Sequence, residues 1–185
     1  NSTMSFVAQY SNIKGNNATF GNTSLSGFHA IEEAHDSSFF ENLNAVALSS
    51  NTAGDFSYMV NSSMRTNKVD WKESAATAAI LFTQDSLNAK CKVTSLRFSS
   101  NSKPLSKHNS ELHSEITADT DCLIFSGAYT TKENAKLKGQ IDEIHKSHFS
   151  HFEQFGNLGP SNIFAGIDKG IELIRKGASK IDVLD

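Results

Sequence analysis

The stretch CLIFSGAYTTKENAKLKGQIDEIHKSHFSHFEQFG, residues 122–156, holds two patterns whose meeting sets the expected fold. Its first four residues, Cys122-Leu-Ile-Phe125, are continuously apolar, as in a central strand covered on both faces. A strand is predicted around them over 121–129. Thr130-x-x-Glu133 then has the spacing of a capping box, in which hydroxyl and carboxylate satisfy each other's neighbouring backbone amides. Leu137, Ile141, Ile144, His148, Phe152 and Phe155 recur every three or four residues, the stripe of an amphipathic helix. Gly156 suits the left-handed position just past its end. A long helix from Thr131, sealed against a sheet, is the central expectation.

Downstream, Gly159-Pro160-Ser161 opens a last helix with Ile163, Ile167, Ile171 and Ile174 on its buried side and Gly177 as its stop. Ile181–Leu184 reads as a short closing strand. Upstream, Asp70-x-x-Glu73 is another capping-box spacing. The alanine-rich run Ala75–Phe82 after it predicts a buried helix, since alanine allows close approach. Cys91–Ser100 and Phe56–Val60 read as strands. A short helix is expected through Phe28, Ile31 and His35. Ser38-x-x-Glu41 is expected to open a second one, with Phe40, Leu43, Val46 and Ala47 on its inner side. Residues 1–26 read as an irregular polar N-terminal segment, and residues 27–185 as a single compact α+β domain. Its expected architecture is an antiparallel or mixed sheet backed by four to five helices.

Composition fits that picture. The chain has 185 residues, 38% of them apolar and 20% charged, enough to bury one core. It holds 26 Ser, 12 Thr and 16 Asn, residues that compete for backbone hydrogen bonds and favour caps and turns. The formal net charge of −3 and a pI near 6.2 give no general pull toward nucleic acid. The charge is unevenly placed. Residues 1–60 carry Lys14 against Glu32, Glu33, Asp36, Glu41 and Asp55, whereas residues 90–107 carry Lys90, Lys92, Arg97, Lys103 and Lys107 with no acid. Such a basic row can line an anion groove, but it equally suits a solvated edge that blocks unwanted strand pairing. The two cysteines do not make a disulfide scaffold. No apolar run approaches a membrane span. With no basic-then-apolar leader at the start, the expectation is a soluble protein, cytoplasmic or secreted without a classical signal peptide.

Two constellations offer chemistry. His145, His148 and His151 follow one another at steps of three, and Glu32-x-x-His35 puts a carboxylate one helical turn from an imidazole. Together these five are the candidate ligands of a divalent metal, because one-turn spacing brings two ligand atoms near a common point. Cys91, between Lys90 and Lys92, is a candidate nucleophile, since neighbouring cations favour the thiolate. His108 or His113 would serve as its base and Asp119 or Asp121 as the orienting acid. Histidines in an apolar stripe and a cysteine starting a strand are equally ordinary core residues. Phosphate-binding loops, the nucleotide-binding glycine pattern, the Gly-x-Ser-x-Gly elbow, His-Glu-x-x-His and Cys-x-x-Cys are all absent. The leading expectation is therefore a binding domain, effector-like, that works through a protein partner. A metal-assisted or cysteine-dependent hydrolase is the alternative.

Overall fold

The computed structural model describes residues 2–21, 25–51, 74–96, 120–126, 148–150 and 154–184. In chain order its regular elements are helix α1 (Ser2–Tyr10), helix α2 (Leu25–Phe40), strands β1 (Ala45–Asn51), β2 (Ala76–Phe82), β3 (Cys122–Phe125) and β4 (His148–Ser150), a 3-10 turn (Gly159–Ser161), helix α3 (Asn162–Arg175) and strand β5 (Ile181–Leu184). Helices and strands are both present, as α+β requires. Among the described residues there are three α-helices rather than four or five. The expected single sheet is two: β1 and β2 form an antiparallel ribbon, and β4-β3-β5 form a parallel sheet with β3 in the middle. The lead-in also differs from the irregular segment expected, since Ser2–Tyr10 is helical.

The parallel sheet follows from burial. Leu123 and Ile124 are fully buried, so every backbone group of β3 needs an internal partner, and a strand on each side supplies them. One partner is β5, in register Cys122↔Ile181 to Phe125↔Leu184. The other is β4, with Leu123 opposite His148 and Phe125 opposite Ser150. The stripe that predicted one helix through His148 is thus broken there: residues 148–150 are strand. Pairing with the open edge of β3 outweighs a helical period that local sequence alone would favour. The rest of the stripe up to Ile144, with Phe152, lies outside the described residues. Phe155, meant as its last buried member, is half exposed. Gly156 does take the left-handed backbone expected of it, at φ 78°.

Helix α3 returns from the end of β4 to the start of β5 as foreseen, and Gly177 ends it at φ 110°. It lies very close to the sheet. A Cβ on Gly166 would come within 2.7 Å of Ser126 Cβ and of Val183 Cγ1, and one on Gly170 would sit 3.4 Å from Ile181. Two glycines four residues apart on one helix face let its backbone touch the strands.

The alanine-rich run is a strand, not the helix expected. Its inner residues Ala76, Ala78, Ile80 and Phe82 alternate with the exposed Thr77, Ala79 and Leu81, a period of two that suits a half-buried strand. It pairs with β1 along its whole length, from Ala45↔Phe82 to Asn51↔Ala76. The second expected helix, from Ser38, is also absent. Instead α2 continues through Ser38, because Gly27, Ile31, Ala34 and Ser38 form one continuous buried face. Asn42, with φ 56°, then turns the chain into β1, and the Leu43 N–H donates back to the Ser37 carbonyl at 3.4 Å. Of the strand expected over 91–100, residues 91–96 have no regular structure; Phe56–Val60, Asp70 and Glu73 lie outside the described residues.

The two layers meet in one core. Ile31 and Ala34 of α2, Ala47 of β1, and Ile163 and Phe164 of α3 pack together, with Ala78, Ile80, Phe82, Ile167 and Val183 around them. At the junction a Cβ on Gly27 would lie 1.8 Å from the Pro160 carbonyl oxygen. Only a glycine lets α2 pass so close to the 3-10 turn.

Candidate functional site

Two places in the described structure concentrate polar or exposed groups. The first is internal. The 3-10 turn and the start of α3 carry Asn157, Ser161 and Asn162, and the far end of the ribbon brings Ser49, Asn51 and Ser74 against them. The Ser49 and Ser161 hydroxyls hydrogen-bond at 2.8 Å, both buried. Asn162 Oδ1 accepts from the Leu158 N–H at 2.8 Å, while its Nδ2 donates to Asn157 Oδ1 at 3.1 Å. That same oxygen accepts from the Gly159 N–H at 2.9 Å. Asn51 Nδ2 donates to the Ser74 carbonyl at 3.1 Å, and the Ser74 N–H donates to the Asn157 carbonyl at 2.9 Å. These bonds satisfy buried polar atoms and hold the ribbon to the helix start. None of the six side chains titrates near neutral pH, so the cluster is a fastening rather than a reactive centre.

The second is external, at the corner where α2 ends beside the ribbon. Phe39 and Phe40 are 60% and 75% exposed, and their rings meet edge to face at 5.0 Å. Phe39 stacks parallel to His35 at 5.9 Å, and His35 meets the edge of Phe82 at 6.2 Å. Leu43 at the turn adds exposed apolar surface, whereas the exposed cross-strand neighbours Val46 and Leu81 lie on the face of the ribbon that points away from α2. Gln84 fastens the corner: its Nε2 donates to the Ser38 carbonyl at 3.0 Å, occupying an acceptor at the helix end. Large aromatic groups held open to water beside a rigid helix end are the usual anchors of protein contacts.

The candidate metal ligands are distributed as follows. Glu32 and His35 are a turn apart on α2, yet each has another partner. His29 Nδ1 donates to Glu32 Oε2 at 3.4 Å, and His35 Nδ1 donates to Asp36 Oδ1 at 3.0 Å. His148 stands in β4, while His145 and His151 lie outside the described residues. Among the described residues no group of three or more His, Cys, Asp and Glu side chains converges where an ion could sit.

For the cysteine constellation, Cys91 is half-buried, and burial pushes its thiol pKa up. Desolvation disfavours the thiolate, which opposes the effect expected of exposed Lys90 and Lys92. Asp121 serves the fold: its Oδ2 accepts from Ser179 N–H at 2.6 Å, Ser179 Oγ at 2.8 Å and Lys180 N–H at 3.2 Å, tying β3 to the approach of β5. His108, His113 and Asp119 lie outside the described residues, as do Arg97, Lys103 and Lys107 of the basic row. Cys122 is buried in β3.

The aromatic corner was missed from sequence because Phe40, Leu43 and Val46 were assigned to the inner side of a helix that does not form. The available signal was the step Gly27–Ile31–Ala34–Ser38, which already completes a buried face and leaves Phe39 and Phe40 outside it. Among the described residues no helix is long and apolar enough to cross a membrane. Comparison with protein-family models, curated proteins and solved structures found no match.

Proposed function

We propose that this chain is a binding domain that engages a protein partner through the corner formed by the end of α2 and the β1–β2 ribbon. The observation that carries the reading is the exposure of Phe39 and Phe40 on a helix end whose other side is packed into the core. Side chains of this size, left in water on a rigid support, have much to gain from being covered and little rotamer freedom to lose. Covering both rings together with Leu43 recovers on the order of 4 kcal/mol of apolar burial. That is comparable to the lower end of the cost of association. The corner therefore supports a modest, reversible contact unless polar groups around it add to the attraction.

A photo-crosslinking residue placed at position 40 tests this in extracts of the cells that make the protein. The expected result is one or a few discrete protein adducts, absent when the same residue replaces Tyr10, which is 89% exposed on α1. A smear of adducts identical at both positions sinks the reading.

A further inference from the structure

The charge around this corner points to the chemistry of the partner. Residues 25–51 contain Glu32, Glu33, Asp36 and Glu41 and no lysine or arginine, whereas the stretch around β2, residues 74–96, carries Asp85 against Lys90 and Lys92. The acidic character of the corner is therefore that of α2, which packs on the ribbon and whose last turn Gln84 bonds. On α2 the acids share the outer surface with the aromatic rings. Glu33, Asp36 and Phe40 are all exposed and follow at steps of three and four, so they form one solvent-facing stripe. Phe39 lies three residues from Asp36 beside it. Among the described residues the carboxylates of Glu32 and Asp36 accept from His29 and His35, not from a lysine or arginine. The result is an acidic surface with aromatic anchors embedded in it.

Resting on the interaction reading above, we infer that the corner takes a cationic, amphipathic segment of a partner protein, its apolar residues on Phe39, Phe40 and Leu43 and its lysines or arginines beside Glu33, Asp36 and Glu41. Two physical effects act together there. A lysine or arginine placed over a phenylalanine face is attracted by the ring quadrupole, and the adjacent carboxylate strengthens the same contact. An acidic segment meets repulsion at each step of the stripe, and an anionic lipid surface meets the same repulsion. Charge thus selects the partner, while the rings hold it.

The full chain is titrated against three synthetic peptides: one with lysine and leucine at amphipathic helical spacing, one with glutamate in place of each lysine, and a scramble of the lysine peptide that destroys the spacing. Phosphatidylglycerol vesicles are a fourth probe. The lysine–leucine peptide is expected to bind, more weakly as salt rises. Its affinity is expected to fall about tenfold or more with Glu33→Lys/Asp36→Lys, and likewise with Phe39→Ala/Phe40→Ala. The milder Glu33→Gln/Asp36→Asn pair repeats the charge arm, with thermal melts confirming that each variant folds. The glutamate peptide, the scramble and the vesicles are expected not to bind. The inference is overturned if the lysine–leucine peptide fails to bind, if it is indifferent to either pair of substitutions, or if any of the other three probes binds as well as it does. Equal binding of lysine and glutamate peptides, both lost in Phe39→Ala/Phe40→Ala, removes the charge selection but leaves the binding corner standing.

Discussion

The two helices that cover strands in this protein, α3 and α2, use their surfaces in opposite ways. Helix α3 presses its backbone onto the parallel sheet through Gly166 and Gly170 and inserts Phe164, which is 1% exposed, into the core. Helix α2 comes closer still on one side, where Gly27 meets Pro160, but turns acids and two phenylalanines outward on the other. The difference shows that an aromatic residue does not report the core by its type. Phe164 and Phe40 have the same side chain, and only the face each occupies separates a packing element from a contact surface.

That contrast is open to direct test. Phe164→Ala leaves a cavity among Ile31, Ala47 and Ile163 and is expected to cost about 4 kcal/mol, whereas Phe40→Ala is expected to change stability by no more than about 0.5 kcal/mol. Urea denaturation of the two variants decides it; comparable losses would mean that Phe40 is a core residue and the corner no surface.

Next in size is Gly27→Ala. Its added methyl group meets the Pro160 carbonyl at 1.8 Å, a backbone atom that cannot rotate away. A net loss of about 2 kcal/mol is expected even after the gain in helix propensity. Gly166→Ala meets only side chains, at 2.7 Å, and should cost less. Thermal melts in which the Gly166 variant proved the weaker would reverse the view that the α2–turn junction is the tighter of the two.

A smaller effect concerns the internal Ser/Asn fastening. Ser161→Ala leaves the buried Ser49 hydroxyl without its 2.8 Å partner and is expected to cost about 1–2 kcal/mol. Ser49→Ala/Ser161→Ala together should cost less than the two single losses added, because no hydroxyl is then left unpaired. A double-mutant cycle reads this directly, and strict additivity would show that the two hydroxyls are not coupled.

The smallest expected effect lies at the end of α3, where Glu172 accepts from Lys169 at 2.7 Å and pairs with Lys176. These two cations hold its carboxyl down to about 2, from an ordinary 4.5. A carboxyl with a lowered folded-state pKa stabilises above its unfolded value and loses that contribution as pH falls from about 4.5 toward 2. Glu172→Gln should therefore melt slightly below the parent at pH 7 and level with it near pH 2. Because the carboxylate lies at the surface, with its side chain 44% exposed, added salt should narrow the gap at neutral pH. A difference between the two proteins that grew in acid would have the wrong sign.

Much of the C-terminal part was legible in the residues themselves. Cys122–Phe125 is too short and too apolar to be anything but a strand covered on both sides. Gly159-Pro160 and Gly177 bracket α3, and the isoleucines between them step at helical spacing. The errors fell where two periods compete. Ala76–Phe82 satisfies a helical pattern by composition and a strand pattern by alternation, and alanine's high helix propensity favoured the wrong one. Ser38-x-x-Glu41 matches a helix start by spacing, although Ser38 completes the buried face of a helix already under way. The acids and rings of the candidate site were visible individually, with Phe40 assigned inward.

What the chain's composition and local order determined is that helices and strands would mix around one central apolar strand, and that α3 would begin and end at its glycines, since caps, stops and continuous burial are properties of neighbouring residues. Only the tertiary structure decided that β1 and β2 pair as a ribbon, that residues 148–150 join the edge of β3, and that Phe39 and Phe40 at the end of α2 face water. The physical reason is the same in each case: strand pairing and the exposure of a face depend on partners far away in sequence, and these outweigh local preferences of a few tenths of a kcal/mol per residue.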